Sequence, residues 1–220
     1  MDYTLIAPYL PDLLSGFWIT VQLSVLTLVL ATPIATAIAL GRDLGPRPLA
    51  RALAVLVNAV RLLPALIVLY FVFYGGPQLG LRMKPMTAAT IGLVAMGAAY
   101  MSEDIRGGFS ALDRGQLAAC RALGLPFGHA LRRVLLPQAL PLIVPPYMTR
   151  AIIMVKGTSL ASMVSVADLT AEATRASSIT YQPYVFVLLA GVLYLALSGV
   201  LVAFQAWVER HLRLRYRLAR

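Results

Sequence analysis

The sequence predicts an all-α membrane protein of five transmembrane helices, with a cytoplasmic two-helix loop between helices three and four. Three observations carry that expectation. Of the 220 residues, 60% are hydrophobic and 13% are charged, with a mean hydropathy of +0.79; a soluble domain of this length lacks the interior to hide so much apolar surface. Apolar runs of 18 residues or more recur along the chain, close to the ~20 that one bilayer crossing needs. Finally, 13 of the 19 Lys and Arg residues fall in residues 41–51, 103–137 and 208–220, against three in residues 1–16, 75–84 and 167–182. Basic residues favour the cytoplasmic side, which puts the N-terminus outside and the C-terminus inside.

Taken in order, residues 17–40 form the first span, free of charge, with Trp18 as an interface anchor and Pro33 as a bend. Residues 41–51 are a basic loop broken by Gly45, Pro46 and Pro48. Residues 52–74 are the second span, interrupted by Arg61 and Pro64. An arginine among apolar residues is costly in lipid, so Arg61 either faces protein, water or a carboxylate, or snorkels from a helix end. Residues 75–84 are a turn-rich outer loop, and 85–102 are a third span at the short limit. It runs into Glu103 and Arg106, spaced i, i+3 and able to pair at the helix end.

The fourth span, 139–166, is not a clean apolar rod. It contains Pro141, Pro145, Pro146, Arg150, Lys156, Gly157, Thr158 and Ser159, and ionisable groups within a membrane segment are a functional signal. Lys156, Ser159 and Ser162 share a face. Two readings stand: a solute cavity in which Lys156 meets a carboxylate and Thr158 and Ser159 hydrogen-bond, or polar glue between helices. Residues 167–182 read as a polar outer loop, and 183–207 as a charge-free fifth span in which Gly191 and Gly199 allow close helix approach. A basic tail follows. All of this is one domain, residues 1–220.

Residues 115–137 are neither a span nor a tail. Helix formers from Arg114 stop at Gly124, a residue suited to a left-handed cap. A second helix restarts at Pro126, with Phe127, Leu131, Val134 and Leu135 on one face and Arg132 and Arg133 on the other, and Pro137 is expected to end it. The segment is compact and basic, shaped to dock into a soluble partner.

Other chemistry is absent from the sequence. No Gly-x-x-x-x-Gly-Lys-Ser/Thr loop occurs, so ATP hydrolysis by that route is not expected. Two histidines, His129 and His211, and the lone Cys120 give no metal-binding spacing and no disulfide. The formal charge of +10 is assigned to membrane orientation, not to nucleic acid. No basic leader precedes the first span, so no cleaved signal peptide is expected.

The loop resembles the EAA loop of permease subunits of bacterial ATP-binding cassette (ABC) importers of the polar amino acid type. Ala118, Ala119 and Cys120 stand on the Glu-Ala-Ala triplet, Gly124 on the glycine, and Val134, Leu136 and Pro137 on the closing Ile-x-Leu-Pro; Ala118 replaces the usual acid. The resemblance continues through Gly16, Thr20 and Leu23, through Arg61 and Pro64 of Arg-Gly-Thr-Pro, and in full through Ala99-Tyr100 to Glu103, Arg106, Gly107 and Gly108. It also includes Leu136-Pro137-Gln138-Ala139, Pro145-Pro146 and Lys156-Gly157-Thr158-Ser159-Leu160, with Gly157 in place of an acid.

The resemblance implies a coupling role for the loop, from Gly115 to Pro137, inserted into a cleft of a separate ATPase subunit. It implies a bacterial inner-membrane complex with two ATPase subunits, a second permease copy of the same or a sister chain, and an external solute-binding protein, all in contact with membrane lipid. ATP–Mg would bind the partner subunits, with no cofactor on this chain and no catalysis by it. Lys156, Thr158, Ser159, Arg61 and Tyr100 are then the residues expected along a pathway for polar amino acids or related zwitterions, moved by alternating access. The competing class is a channel or ion-coupled carrier that works without an ATPase; activity of the purified chain alone in liposomes, without nucleotide, separates the two.

Overall fold

The computed structural model describes residues 6–216, and every regular element among them is helical. A 3-10 turn (Ala7–Tyr9) leads into α1 (Leu10–Leu44), α2 (Arg47–Leu62), α3 (Ala65–Gln78), α4 (Pro85–Ser110) and α5 (Arg114–Ala122). The short α6 (Phe127–Ala130) passes through a π turn (Leu131–Leu135) into α7 (Leu136–Gly157). A second 3-10 stretch (Thr158–Val164), α8 (Leu169–Thr180) and α9 (Pro183–Tyr216) follow.

Helix α4 is the hub. Its buried Ala89, Leu93, Met96 and Met101 pack with Leu23, Ala31, Ala35 and Ala39 of α1, Leu69 of α3, and Ala139, Ile143 and Met154 of α7. Small residues let the backbones close in. A Cβ at Gly108 would lie 2.2 Å from Ile143 Cγ1, and one at Gly97 3.1 Å from Ala31 Cβ, so glycine is what permits the crossings of α4 with α7 and with α1. A smaller core joins Leu13 of α1, Leu169, Ala173 and Ala176 of α8, and Phe186 and Ala190 of α9.

Among the described residues, three stretches are long and apolar enough to cross a membrane: Ala7–Leu44, Phe127–Val164 and Pro183–Leu212. The pair α2 and α3 makes a fourth if counted as one span despite a bend of 103°. The expectation of five clear spans therefore holds only that far. The central α4, 26 residues long, is not among them, because a helix enclosed by neighbours is selected for close packing and not for lipid contact.

Five local expectations need correction. Residues 52–74 are not one rod: Leu63 and Pro64 are extended, with ψ of 140° and 138°, and the residue before a proline is driven out of the helical region. The loop expected at 75–84 is shorter, since α3 continues to Gln78. Residues 167–182 are not a loop but contain α8, nucleated by the Asp168 carboxylate accepting from Ala171 N at 3.0 Å and seated by Leu169, Ala173 and Ala176. A Cβ added at Gly191 or Gly199 would meet nothing within 4 Å among the described residues, so neither glycine brings two helices of this chain together there. Pro137 does not end its helix. Leu136 N–H reaches back to the Leu131 carbonyl, five residues away, and this π register leaves Pro137 in the first turn of α7, where no N–H is needed.

Candidate functional site

The segment from Arg114 to Leu135 is fixed by its own caps. The Asp113 carboxylate accepts from Gly115 N at 2.8 Å, an N-cap for α5. At the other end Gly124 has φ +69°, its N–H donates to Arg121 O, and Leu125 N–H donates to Cys120 O. That pair of bonds is a Schellman motif, and it turns the chain into Pro126 and α6. Gln138 Nε2 donates to Gln116 Oε1 at 3.2 Å, tying the start of α7 to α5.

This segment presents apolar side chains outward. Leu123 is 76% exposed, and Leu125 and Phe127 are also exposed. Ala118 and Ala119 are exposed beside them, while Cys120 and Ala130 turn inward. Arg121, Arg132 and Arg133 of the same segment are exposed as well, the last two lining a concavity with Gly128 and His129. Val134, Leu136 and Pro137 are half-buried where the segment joins the bundle.

Next to the segment lies a charged cluster. Glu103 is bonded to Arg42 of α1, to Arg106 Nη1 at 3.1 Å and to Arg61 Nη1 at 3.5 Å. Arg106 Nε also donates to Asp43 at 2.8 Å. The Tyr100 hydroxyl donates to the Arg61 carbonyl at 3.0 Å, and its ring is flanked by two guanidiniums, Arg61 at 5.3 Å and Arg150 at 4.7 Å. Arg150 forks onto Asp104 through Nε at 3.0 Å and Nη2 at 3.3 Å. The i, i+3 pair of Glu103 and Arg106 is thus present, but as part of a clamp joining α1, α2, α4 and α7. Arg61 faces a carboxylate, one of the alternatives open from sequence. Its Nε is buried and has no hydrogen-bond partner among the described residues.

The remaining pathway candidates divide. Lys156 is exposed on α7, on a stripe with Thr149 and Ile153. Ser159 Oγ donates to the Lys156 carbonyl at 2.9 Å and Ser162 Oγ to that of Ser159, continuing the stripe. Thr158 is fully buried and its hydroxyl is committed to Val155 O, so it does not share that face. No hydrogen bond or ion pair among the described residues joins Lys156 to the cluster of Arg61 and Tyr100.

Sequence reading missed Arg42, Asp43 and Asp104 as partners, since nothing local marks contacts that span 46 to 63 residues. It also missed Asp168. This carboxylate is fully buried at the junction of α1, α8 and α9, where Tyr194 OH donates to it at 3.3 Å and Leu169 N donates to Thr20 Oγ1 at 3.1 Å. Burial raises its pKa to about 6, although the Ala171 amide and the Tyr194 and Thr170 hydroxyls pull the other way. An aspartate just before an apolar i, i+4 pattern was the available signal.

Residues 31–214 match the family described as the inner membrane component of binding-protein-dependent transport systems. The arginine transport system permease protein of Bacillus subtilis (strain 168) is 30% identical, over 97% of this chain and 98% of its own length. The nopaline transport system permease protein of Agrobacterium fabrum (strain C58 / ATCC 33970) is 30% identical, over 98% and 95%. A crystal structure of an amino acid ABC transporter with histidines superposes with a TM-score of 0.89 at 28% identity, covering 96% of this chain and 99% of that one. An inward-facing methionine ABC transporter shares the fold, with a TM-score of 0.77 at 21% identity over 93% and 98%. With a family match over most of its length and relatives that it covers almost end to end, this chain belongs to the family of inner membrane components of binding-protein-dependent transport systems.

Proposed function

We propose that this chain is the membrane subunit of an ATP-driven importer of polar amino acids or related zwitterions, and that the segment from Gly115 to Pro137 receives the stroke of a separate ATPase. The observation that carries the coupling role is the outward set of Leu123, Leu125 and Phe127, positioned by the Asp113 N-cap and the Gly124 turn in a segment with three exposed arginines. Exposed apolar groups in a fixed geometry are a surface awaiting a partner. In this reading α1, the bent pair α2–α3, α4, α7 and α9 are the five spans, and the bias of basic residues supports a cytoplasmic segment and an outside N-terminus.

In this reading ATP–Mg binds the ATPase pair, which closes and pulls on the segment in each of two permease copies. The movement passes through the π turn into α7, and the charged clamp carries it to α1, α2 and α4. An external binding protein delivers the solute, and the bundle opens alternately to each side.

The solute class rests on the relatives' names and on one side chain. Arginine, glutamine and the opines that those relatives are named for share an α-carboxylate beside an amine nitrogen. Lys156, exposed and unpaired among the described residues, is the cation on the α7 stripe that would meet such a carboxylate. Gly157 beside it supplies no acid for a second positive charge, which favours neutral or acidic solutes. Competition for uptake is expected to rank glutamine or glutamate ahead of arginine; arginine binding tightest would overturn the preference.

The coupling role is tested by Gly124→Asp in the reconstituted complex with its ATPase and binding protein. A side chain at φ +69° strains the Schellman turn by about 1 kcal/mol and misaims Leu123 and Leu125. Solute-stimulated ATPase activity and uptake are expected to fall together while the bundle stays folded. Undiminished stimulated transport would remove the segment from the mechanism.

A further inference from the structure

Between α1, α4 and α7 lies a cleft of about 390 Å³ that plays no part in the pathway described above. Its walls are apolar: Ala39 and Leu40 from α1, Ile105 and Phe109 from α4, Leu140 and Ile143 from α7. The two ends are different. One is closed by the hydroxyls of Thr32 and Tyr147, hydrogen-bonded to each other. At the other, Asp43 stands on the rim and accepts from Arg106 Nε at 2.8 Å.

Depth decides what such a cleft can hold. Thr32 and Asp43 are eleven residues apart on one helix, about 16 Å at 1.5 Å of rise per residue. One leaflet's hydrocarbon is about 15 Å deep, half of the ~30 Å core. The cleft is therefore one leaflet deep, apolar along its length except for the Thr36 hydroxyl, which is spent on the Thr32 carbonyl, and charged only at the rim. A water-soluble zwitterion finds no partner inside it. The rim offers both signs, a guanidinium for a phosphate and a carboxylate for an ammonium.

We propose that this cleft seats one acyl chain of a zwitterionic phospholipid, with its head group on the Asp43–Arg106 pair. The leaflet it comes from rests on the orientation proposed above; the seating itself does not. The wall also includes Leu131 and Leu136, the two residues whose carbonyl and N–H close the π turn. A seated chain thus braces the joint between the coupling segment and α7.

Native mass spectrometry of the assembled transporter, purified in mild detergent from membranes containing phosphatidylethanolamine, reads this directly. The expected result is one retained phospholipid per permease copy. Thr36→Trp and Leu140→Trp fill the cleft from opposite walls, so either one that folds suffices. Each is expected to cut retention about tenfold, the loss when roughly two methylenes are no longer buried. Val29→Trp, on an exposed stretch of α1 outside the cleft lining, leaves retention unchanged. Equal retention in the cleft variants and the unmodified protein overturns the proposal. So does a disulfide linking two permease copies through Thr36→Cys, which would put a second copy's helix in the cleft. Uptake measured on the same preparations keeps the importer reading separate: transport with no retained lipid sinks only the seating, and retained lipid with no transport sinks only the importer.

Discussion

The bundle around α4 and the segment from Arg114 to Leu135 are built on opposite terms. Around α4, glycines bring backbones together, Glu103 holds three arginines, and Asp104 receives a two-pronged contact from Arg150. Most apolar side chains there are covered from within the chain. In the segment, caps and turns satisfy the backbone, yet Leu123, Leu125 and Phe127 point away from the protein. One region is completed by its own sequence, and in the function proposed above the other is completed by a partner. A substitution should therefore damage the fold in the first and communication in the second, and the contrast can be broken at single residues.

The largest effect belongs to Gly108→Val. Its Cβ alone would stand 2.2 Å from Ile143 Cγ1 and 3.0 Å from Ile143 N, so α4 and α7 cannot keep their crossing. Overpacking of this kind costs about 3 kcal/mol or more. Loss of monodisperse protein, or a large fall in melting temperature, is expected. Gly124→Asp changes the same residue type, where a Cβ meets nothing within 4 Å among the described residues, and its backbone strain of about 1 kcal/mol should lower melting by only about 2–4 °C. A Gly108→Val protein as stable as the unmodified one would show that the crossing is looser than drawn.

How much of this was readable beforehand follows the range of the interactions. Gly124 was legible because a left-handed cap is a local requirement, and so was the Glu103–Arg106 pair, one helical turn apart. Arg42 reaching Glu103 across 61 residues was not, because no periodicity encodes which helices meet. Pro137 was misread as a stop. That rule assumes the α register, and a π turn shifts the register by one residue just before the proline. The polar composition of 167–182 hid a helix whose core face is only Leu169, Ala173 and Ala176. On the functional side, Lys156 and Ser159 shared a face as their spacing required, whereas Thr158 is turned inward by its own hydrogen bond to Val155.

An intermediate effect is expected at the junction of α1, α8 and α9, which tests whether every part of the bundle is optimised for stability. Asp168 has its pKa raised from 3.8 to about 6 by burial. A carboxyl whose folded value is raised contributes stability that is fully present below pH 3.8 and lost as pH rises through about 6. The full swing is at most about 3 kcal/mol. Melting temperature should thus fall between pH 4.5 and 7.5 in the unmodified protein. Asp168→Asn keeps a side-chain oxygen to cap Ala171 N and carries no charge, so its melting should be flat over that range and higher at pH 7.5. An equally steep pH profile in Asp168→Asn would assign the dependence to another group.

The smallest effect on the chain itself is also the sharpest test of the contrast. Leu123 is 76% exposed and is not a member of the buried core among the described residues, so Leu123→Ser should shift stability by no more than about 0.5 kcal/mol. A buried leucine cut back to a small side chain would instead cost about 2–5 kcal/mol. Once a partner covers it, however, Leu123 becomes a buried apolar side chain, worth about 1.5–3 kcal/mol. Binding of the ATPase to detergent-solubilised permease should therefore weaken by roughly tenfold or more, while melting of the permease alone stays put. The two measurements must diverge. If Leu123→Ser lowers melting and leaves ATPase binding intact, the residue is serving the bundle, and the division between a self-sufficient core and a partner-completed segment is drawn in the wrong place.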